Sequence, residues 1–216
     1  VRLRFPGHEH TKIINGIPAG WEKGCVGNLA SVKSGFAFKS KDWQQDGNPV
    51  IKIKNIVGDG TIDTINCDCV SDNVAETASD FEIPTGTLLI AMTGATVGKV
   101  GIMPDSLKKY FLNQRVGIFK AESDYPIERL FYPFFQGGFA QTQVQNLAGG
   151  AAQPNISGGQ IESIELLIPD NKILMLYLET TEAIFLQRQN ILNQNIKLAE
   201  ARDLLLPRLM NGEIAV

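Results

Sequence analysis

Residues 170–207 read DNKILMLYLETTEAIFLQRQNILNQNIKLAEARDLLLP, and two apolar tracks run through this stretch. In each track an apolar residue recurs every seven positions. The tracks are Tyr177, Ile184, Ile191, Leu198 and Leu205, and, one position on, Leu178, Phe185, Leu192, Ala199 and Leu206. Because the positions three to four residues away from the tracks are mostly polar, the apolar stripe is narrow. It predicts a helix of roughly 34 residues, about 50 Å long, that pairs with a second long helix. The alternative is a helix that folds back on its own domain.

The two ends of this helix and the chain before it complete the predicted fold. Asp170 can cap the first turn, and Pro207 is expected to end the helix. Residues 1–168 read as short β-rich segments broken by glycine, with alternating strands at 48–56 and 111–119, an apolar strand at 87–92 and a helical stretch at 127–144. The prediction is a mixed α/β domain with a β-rich core over 1–168, followed by one long coiled-coil-forming helix in 169–216.

Composition excludes several classes of protein. No run of 18 apolar residues is present, which argues against a membrane span. Cys25, Cys67 and Cys69 form no CxxC pair, so we expect a reducing cytoplasm and no zinc site. The only histidines, His8 and His10, lie in a polar segment, and no carboxylates form a recognisable spaced pair. We therefore expect no catalytic residues, no metal and no cofactor.

Charge is segregated along the chain although the net charge is only −3. Residues 61–90 carry six acids and no base, whereas residues 91–120 carry five bases and one acid. Residues 1–60 also have an excess of bases, nine against five acids. A folded domain could gather the two basic blocks on one face, as a polyanion-binding protein does. Blocks that average out on a solvated surface are the alternative.

The glycine-rich stretch Thr93-Gly94-Ala95-Thr96-Val97-Gly98-Lys99 lies between two apolar β runs. A Walker A loop needs four residues between its glycines and a Ser or Thr after the lysine, whereas this stretch has three and a valine. A nucleotide-hydrolysing site is therefore disfavoured. The pattern instead predicts a hairpin that displays Thr93, Thr96 and Lys99, where hydroxyls, backbone amides and an ammonium could hold a nucleic-acid phosphate. A tight turn that needs glycine explains the same residues without a ligand.

Two further patches carry side chains suited to nucleic acid. Residues 34–41, SGFAFKSK, mix lysine, serine and aromatic rings, and Asn113-Gln114-Arg115 places two amides beside a guanidinium. Amides and guanidinium groups pair with purine edges. On a strand Asn113 and Arg115 would share one face, with Gln114 on the other. Structural hydrogen bonds at strand ends are an equal alternative, and the loop 153–157, QPNIS, is ambiguous in the same way.

Taken in order, short motifs across the whole chain resemble one half of a DNA-specificity subunit of type I restriction–modification systems. The motifs are IPAGW at 17–21, SGFAF at 34–38, IKNI at 53–56 followed by GDG at 58–60, IPTGTLLIA at 83–91, TGATVGK at 93–99, LNQ at 112–114, QPNIS at 153–157 and LLPRLMNGEI at 205–214. At the head of the helix, IPDNK at 168–172 departs from the Pro-Pro and Glu-Gln pattern that is usual in the family.

The resemblance implies a non-catalytic subunit. Residues 1–168 would form a target recognition domain that reads one half of a split site in double-stranded DNA. The helix would pair antiparallel with a sister helix, from a second half-subunit or a homodimer partner, and would dock the methyltransferase (modification) and restriction subunits. A helix of about 50 Å spans some 15 base pairs at 3.4 Å each. The rival function is a coiled-coil adaptor or oligomerisation protein that does not bind DNA.

The residues expected to contact DNA come from the patches above. They are Phe36, Lys39, Lys54, Asn55, Thr93, Gly94, Thr96, Lys99, Asn113, Gln114, Arg115, Gln153 and Asn155. The sequence leaves open the target bases, which residues touch bases rather than phosphates, the oligomeric state, and whether the chain is the C-terminal half of a longer protein or a natural half-subunit.

Overall fold

Two sheets packed against each other form the centre of the molecule. The structure is a computed structural model that describes residues 10–123, 125–149 and 154–213. Its strands are β1 Ile13–Ile14, β2 Ile17–Pro18, β3 Glu22–Cys25, β4 Ala30–Ser34, β5 Trp43–Gln44, β6 Asn48–Ile51, β7 Asp68–Val70, β8 Leu88–Ala91, β9 Val100–Ile102, β10 Phe111–Leu112, β11 Val116–Ala121 and β12 Glu165–Ile168. Its helices are α1 Asp72–Thr77, α2 Ile127–Gln136, α3 Gly138–Ala148, α4 Gly158–Glu162 and α5 Asn171–Met210. The predicted mixed α/β fold with a long C-terminal helix is confirmed.

The central sheet has the strand order β4-β11-β8-β9, and each neighbouring pair is antiparallel. All four residues of β8 are buried, because alternate side chains enter two different cores. Leu88 and Ile90 pack with helices α2, α3 and α4, whereas Leu89 and Ala91 pack against the second sheet. A strand covered on both faces has a continuous apolar sequence, and the apolar run at 87–92 predicted this strand for that reason.

The second sheet has the order β10-β6-β7-β5. Its strand β10 runs parallel to β6, and the remaining pairs are antiparallel. Val50, Val70 and Phe111 pack on its far side with helix α1 and with Phe38. Two smaller pairings, β1 with β2 and β12 with β3, complete the sheets among the described residues.

Three segment predictions need correction. The stretch 111–119 is two strands in different sheets, separated by a turn at 114–115. The alternating run at 48–56 leaves its strand after Ile51 and forms a short 3₁₀ turn at Ile53–Asn55. The helical stretch at 127–144 is two helices, since the backbone of Gly137 is extended between them. In each case a local turn interrupts a periodic pattern.

Helix α5 is longer than the sequence predicts. Asp170 caps it as predicted, because its carboxylate accepts a hydrogen bond from the Ile173 amide at 3.0 Å. Pro207 does not end it, and the helix continues to Met210, which makes it 40 residues, or about 60 Å, long. Pro207 removes one amide donor, and the carbonyl left without it can bond water because this end of the helix is exposed.

Truncation of Phe135 tests the helix-side core. Phe135 is fully buried between Phe119 and Phe131, with ring centroids 5.3 and 6.2 Å away. We expect Phe135→Ala to lower the free energy of unfolding by about 3–5 kcal/mol, measured by urea denaturation. Phe139 lies three residues beyond α2 and is 64% exposed, so Phe139→Ala should change it by less than about 0.5 kcal/mol. Equal losses in the two variants would contradict this core assignment.

Candidate functional site

One edge of the central sheet gathers the loops that carry most of the candidate residues. Strands β4 and β8 end at this edge, and β9 and β11 begin there, because every neighbouring pair is antiparallel. The second sheet adds the residues that follow β6 and β10, which run in parallel. We call this surface the loop edge; it consists of residues 34–39, 52–55, 91–99, 113–115 and 154–155.

Backbone hydrogen bonds tie these loops together. The Met92 amide donates to the Arg115 carbonyl at 2.9 Å, and the Gln114 amide donates to the Phe36 carbonyl at 2.9 Å. The Gly94 amide donates to Pro154 at 2.8 Å, beside an isolated bridge between Thr93 and Asn155. Because the bonds join segments far apart in sequence, the loop edge is a surface preset by the fold.

The glycine-rich hairpin connects β8 to β9 as predicted. Gly94 and Gly98 have φ angles of +75° and +82°, which favour glycine. Gly98 also needs the space, since a Cβ there would lie 2.7 Å from Cγ1 of Val144. The hydroxyls of Thr93 and Thr96 are enclosed, and within the described ranges neither has a hydrogen-bond partner. The predicted display of these two hydroxyls is therefore wrong.

Lys99 is the charged side chain that the hairpin presents to solvent. Its alkyl stem lies on the backbone of Gly58, where a Cβ would come 2.9 Å from Lys99 Cδ. Among residues 10–123, 125–149 and 154–213, no carboxylate is close enough to pair with its ammonium. The hairpin thus offers a supported but uncompensated positive charge.

The triplet 113–115 does not lie on one strand. Asn113 is buried, and its side-chain oxygen accepts a hydrogen bond from the Arg115 amide at 3.2 Å. Gln114 and Arg115 occupy the turn and are exposed. The prediction that Asn113 shares an exposed face with Arg115 is wrong, because the amide satisfies the turn's backbone. No ion pair joins Arg115 to a carboxylate in the part of the chain that the structure describes, so the acidic block 61–90 does not hold it there.

Asn55 is also an interior residue. It is 1% exposed, donates to the carbonyls of Asp63 and Asn66 at 2.9 and 3.2 Å, and accepts from the Lys52 amide at 3.0 Å. Its amide closes the 3₁₀ turn and fastens it to residues 63–66. The prediction that Asn55 faces a ligand is therefore contradicted by its burial.

Lys52 and Lys54 lie on either side of Ile53 and share one acidic partner. Their ammonium groups lie 2.8 and 2.9 Å from Oδ2 of Asp68. The hydrogen bond from Lys52, and after it the bond from Lys54, holds the pKa of Asp68 below its ordinary value. The Lys52 ammonium also lies 3.1 Å from the ring centroid of Trp43. Lys54 is thus exposed at the loop edge, but its charge is partly compensated.

The remaining candidates flank these groups. Phe36 is half-buried and packs edge-on against Phe38, with centroids 5.0 Å apart. Lys39 has an exposed side chain, while its amide bonds the Asp42 carboxylate at 2.7 Å. Asn155 is exposed beside the hairpin, and Gln153 lies outside the described residues. Exposed candidate side chains at the loop edge are therefore those of Lys39, Lys54, Lys99, Gln114, Arg115 and Asn155.

The first half of α5 packs on its own domain. Leu174 and Leu178 are each 4% exposed, and Phe185 meets Tyr132 edge-on at 6.2 Å. Tyr177 is partly buried, and its hydroxyl donates to the Arg129 carbonyl at 3.1 Å. The assignment of Tyr177, Leu178 and Phe185 to a helix partner is therefore wrong here, and the alternative of a helix folded onto its domain holds for this half.

Polar contacts extend the docking of α5, and the sequence did not reveal them. Arg188 donates to the Gly60 carbonyl at 3.0 Å and stacks on Tyr132, 4.4 Å from the ring centroid. Gln189 donates to the Met103 carbonyl at 3.3 Å, and Asn193 bonds Asp105. These residues lie outside the apolar tracks, so the periodic pattern does not identify them. The one signal in the sequence is the positive charge of Arg188 among mostly uncharged polar neighbours.

The first apolar track remains open beyond Tyr177. The exposed fractions of its other members are 63% for Ile184, 49% for Ile191, 67% for Leu198 and 48% for Leu205. In the second track, Leu192 and Ala199 are partly buried and Leu206 is 50% exposed. The two tracks thus separate, one facing the domain over the first half of the helix and the other facing solvent.

Neither a metal centre nor an activated Cys67 thiol is found among the described residues. They contain no group of three His, Cys, Asp or Glu residues that could hold a metal ion. Burial raises the pKa of the Cys67 thiol to about 12, which leaves it protonated and unreactive at neutral pH. None of the helices within the described ranges has the length and apolar character that a bilayer crossing requires.

Comparison with known proteins gives a consistent result. Residues 18–198 match the family described as type I restriction modification DNA specificity domain. The HindI specificity subunit of Haemophilus influenzae is 24% identical over 92% of this chain, and the MjaVIII specificity subunit of Methanocaldococcus jannaschii is 24% identical over 72%. The chain covers only 42% and 37% of those two proteins.

Two solved structures share the fold. The S subunit of a type I restriction–modification system from M. genitalium aligns over 92% of this chain and 47% of its own, with a TM-score of 0.55 and 19% identity. A chain from a type I R-M system, solved in a study of complex assembly and conformational transition, aligns over 93% of this chain and 46% of its own, with a TM-score of 0.54 and 16% identity.

Substitution of Asn55 separates a structural role from a surface role. We expect Asn55→Ala to destabilise the fold by about 1–3 kcal/mol, because two carbonyls and an amide lose their partner in the interior. Thermal denaturation measures this. The exposed Asn155→Ala is the matched control and should melt like the parent chain. A parent-like melting temperature for Asn55→Ala would contradict the structural assignment.

Proposed function

Because the chain belongs to the family of type I restriction modification DNA specificity domains, we propose that it recognises one half of a split DNA site through the loop edge. The observation that carries this proposal is that Lys39, Lys99 and Arg115 are exposed in loops of the loop edge, with no ion pair to a carboxylate within the described ranges. The chain as a whole has a net charge of −3, so an exposed cationic edge is not explained by composition. Phosphate contacts by lysine would position the duplex, and Gln114, Arg115 and Asn155 would read base edges.

The long helix supplies the second part of the proposal. We infer that the exposed track from Ile184 to Leu205 pairs antiparallel with a sister helix, in a second half-subunit or a second copy of this chain. The same helix would dock the methyltransferase and restriction subunits, which would carry out the chemistry while this chain remains non-catalytic. Membership of the specificity-domain family supports these partners and a cytoplasmic location.

A coiled-coil adaptor that binds no DNA is the rival function. The exposed apolar track favours it, because such a track serves assembly whether or not DNA is bound. The loop edge discriminates between the two functions, since an adaptor has no need of uncompensated cations there. DNA binding with a steep dependence on salt would exclude the adaptor, and the absence of binding at low salt would exclude the specificity function.

Lys99→Ala tests phosphate contact at the loop edge. We expect weaker binding to every duplex, and a salt dependence of log K that is shallower by about one counterion, measured by fluorescence anisotropy. Lys120→Ala is the matched control, because Lys120 is exposed near the far end of β11. An unchanged salt slope for Lys99→Ala would reduce this lysine to a turn residue.

Arg115→Ala tests base reading. If the guanidinium grips a guanine, the variant should lose discrimination of about 1–3 kcal/mol at one position of the half-site and keep the others, as measured by selection from a randomised duplex pool. Arg115→Lys keeps the charge but lacks the planar fork, so it should lose the same discrimination. Base preferences kept in full by both variants would contradict a reading role.

A double substitution tests the helix. Ile184→Asp with Ile191→Asp places two charges on the exposed track and should abolish helix pairing, measured by sedimentation, without changing the melting temperature of the monomer. Ala183→Asp with Asn190→Asp is the matched control, since it adds the same two charges at the same spacing on exposed positions off the track. Association that survives the first pair of substitutions would remove the coiled-coil interpretation.

A further inference from the structure

Asp68 binds two lysines at the loop edge with a single carboxylate oxygen. The ammonium nitrogens of Lys52 and Lys54 lie 2.8 and 2.9 Å from its Oδ2. Lys52 is further held over the ring of Trp43, 3.1 Å from the centroid. Two cations and one anion leave a net charge of +1, so the carboxylate compensates half of the positive charge that the segment 52–54 brings to this surface.

The trio lies next to the hairpin that carries Lys99. Residues 52–54 directly follow β6, and Asp68 opposes Val50 at the start of β7. Ile53, between the two lysines, is close to the hairpin, because a Cβ on Gly94 would lie 3.5 Å from its Cδ1. A duplex held by Lys99 would therefore bring its phosphates near Asp68 as well as near the lysines.

The carboxylate is ionised at neutral pH and half-accessible. Its side chain is 38% exposed, and the hydrogen bonds from Lys52 and then Lys54 lower its pKa. Exposed ion pairs add little to the stability of a fold, so a contribution to folding does not by itself account for a carboxylate at position 68. Beside a polyanion, by contrast, a carboxylate repels phosphate and competes with it for both ammonium groups.

We propose that Asp68 restrains the sequence-independent part of DNA binding by occupying Lys52 and Lys54. The proposal rests on the DNA-binding function proposed above and adds a device to it. Each lysine that neutralises a phosphate releases about one counterion, and this release strengthens binding to DNA of any sequence. With both lysines held by Asp68, affinity depends more on the side chains that read bases, and binding to unrelated DNA stays weak.

Asp68→Asn is the direct test, with a short duplex of mixed sequence as the probe. The asparagine cannot pair with either lysine as an anion, so affinity at moderate salt should rise about tenfold. The salt dependence of log K should steepen by about one to two counterions. Glu82→Gln is the matched control: it removes the same charge and frees Lys109, which lies 2.8 Å from Glu82 Oε2 just before β10 and off the loop edge. The control should leave the affinity and the slope of the parent chain.

A double-substitution cycle assigns the gain to the two lysines. Adding Lys52→Gln and Lys54→Gln to Asp68→Asn should abolish the gain and bring affinity and slope to the parent values or slightly below, because the three residues then carry no net charge. In the parent background the same two glutamines should lower the slope by no more than about one counterion, because Asp68 already compensates half of the lysines' charge. This second measurement also serves if Asp68→Asn does not fold.

The outcomes separate the two proposals. Weakened or unchanged binding by Asp68→Asn overturns the restraining role, and a loss of about two counterions on removing the lysines from the parent chain overturns it as well. A gain of equal size in Glu82→Gln would reduce the effect to net charge and overturn it too. If the parent chain binds no duplex at low salt, the DNA-binding function fails, whatever the variants do.

Discussion

Burial of the central sheet on both faces is the constraint from which the rest of the molecule follows. Strand β8 sends Leu88 and Ile90 into the helix-side core and Leu89 and Ala91 into the core shared with the second sheet. Neither face is free to meet a ligand, so a binding surface has to form where the strands end. Antiparallel pairing brings the ends of β4 and β8 to one edge together with the starts of β9 and β11. The loop edge is thus a consequence of topology.

Helix α5 is joined to this edge through a short loop. Arg188 holds the Gly60 carbonyl and stacks on Tyr132, whose hydroxyl donates to the Asp59 carbonyl at 3.0 Å. Two residues earlier, Gly58 supports the stem of Lys99. The same loop therefore touches both helix α5 and the hairpin, and it links the position of the helix to the position of Lys99, the lysine proposed to contact DNA. Docked in this way, helix α5 holds its exposed apolar track at a fixed distance from the loop edge.

Sequence patterns predicted the elements that depend on periodicity. The apolar run of β8, the glycine-rich hairpin, the Asp170 cap and the long helix all follow from local chemistry. The patterns failed where an amide side chain satisfies backbone groups: Asn55 and Asn113 look like surface readers in sequence, but each closes a turn from inside. Spacing by seven could not tell which apolar track meets the domain, because both tracks repeat with the same period. Sequence patterns also could not reveal that Asp68 pairs with Lys52 and Lys54, because it lies 16 and 14 residues away from them along the chain.

Lysine footprinting with and without DNA identifies the face of the molecule that the duplex contacts. The chain is acetylated at low reagent concentration, free and bound to a saturating mixed-sequence duplex, and the modified sites are identified by mass spectrometry. We expect Lys39 and Lys99 to become protected, while Lys109, Lys120 and Lys172, which lie off the loop edge, react as before. Protection of the second set with continued reactivity of the first would contradict the account, because DNA would then lie on another face of the molecule.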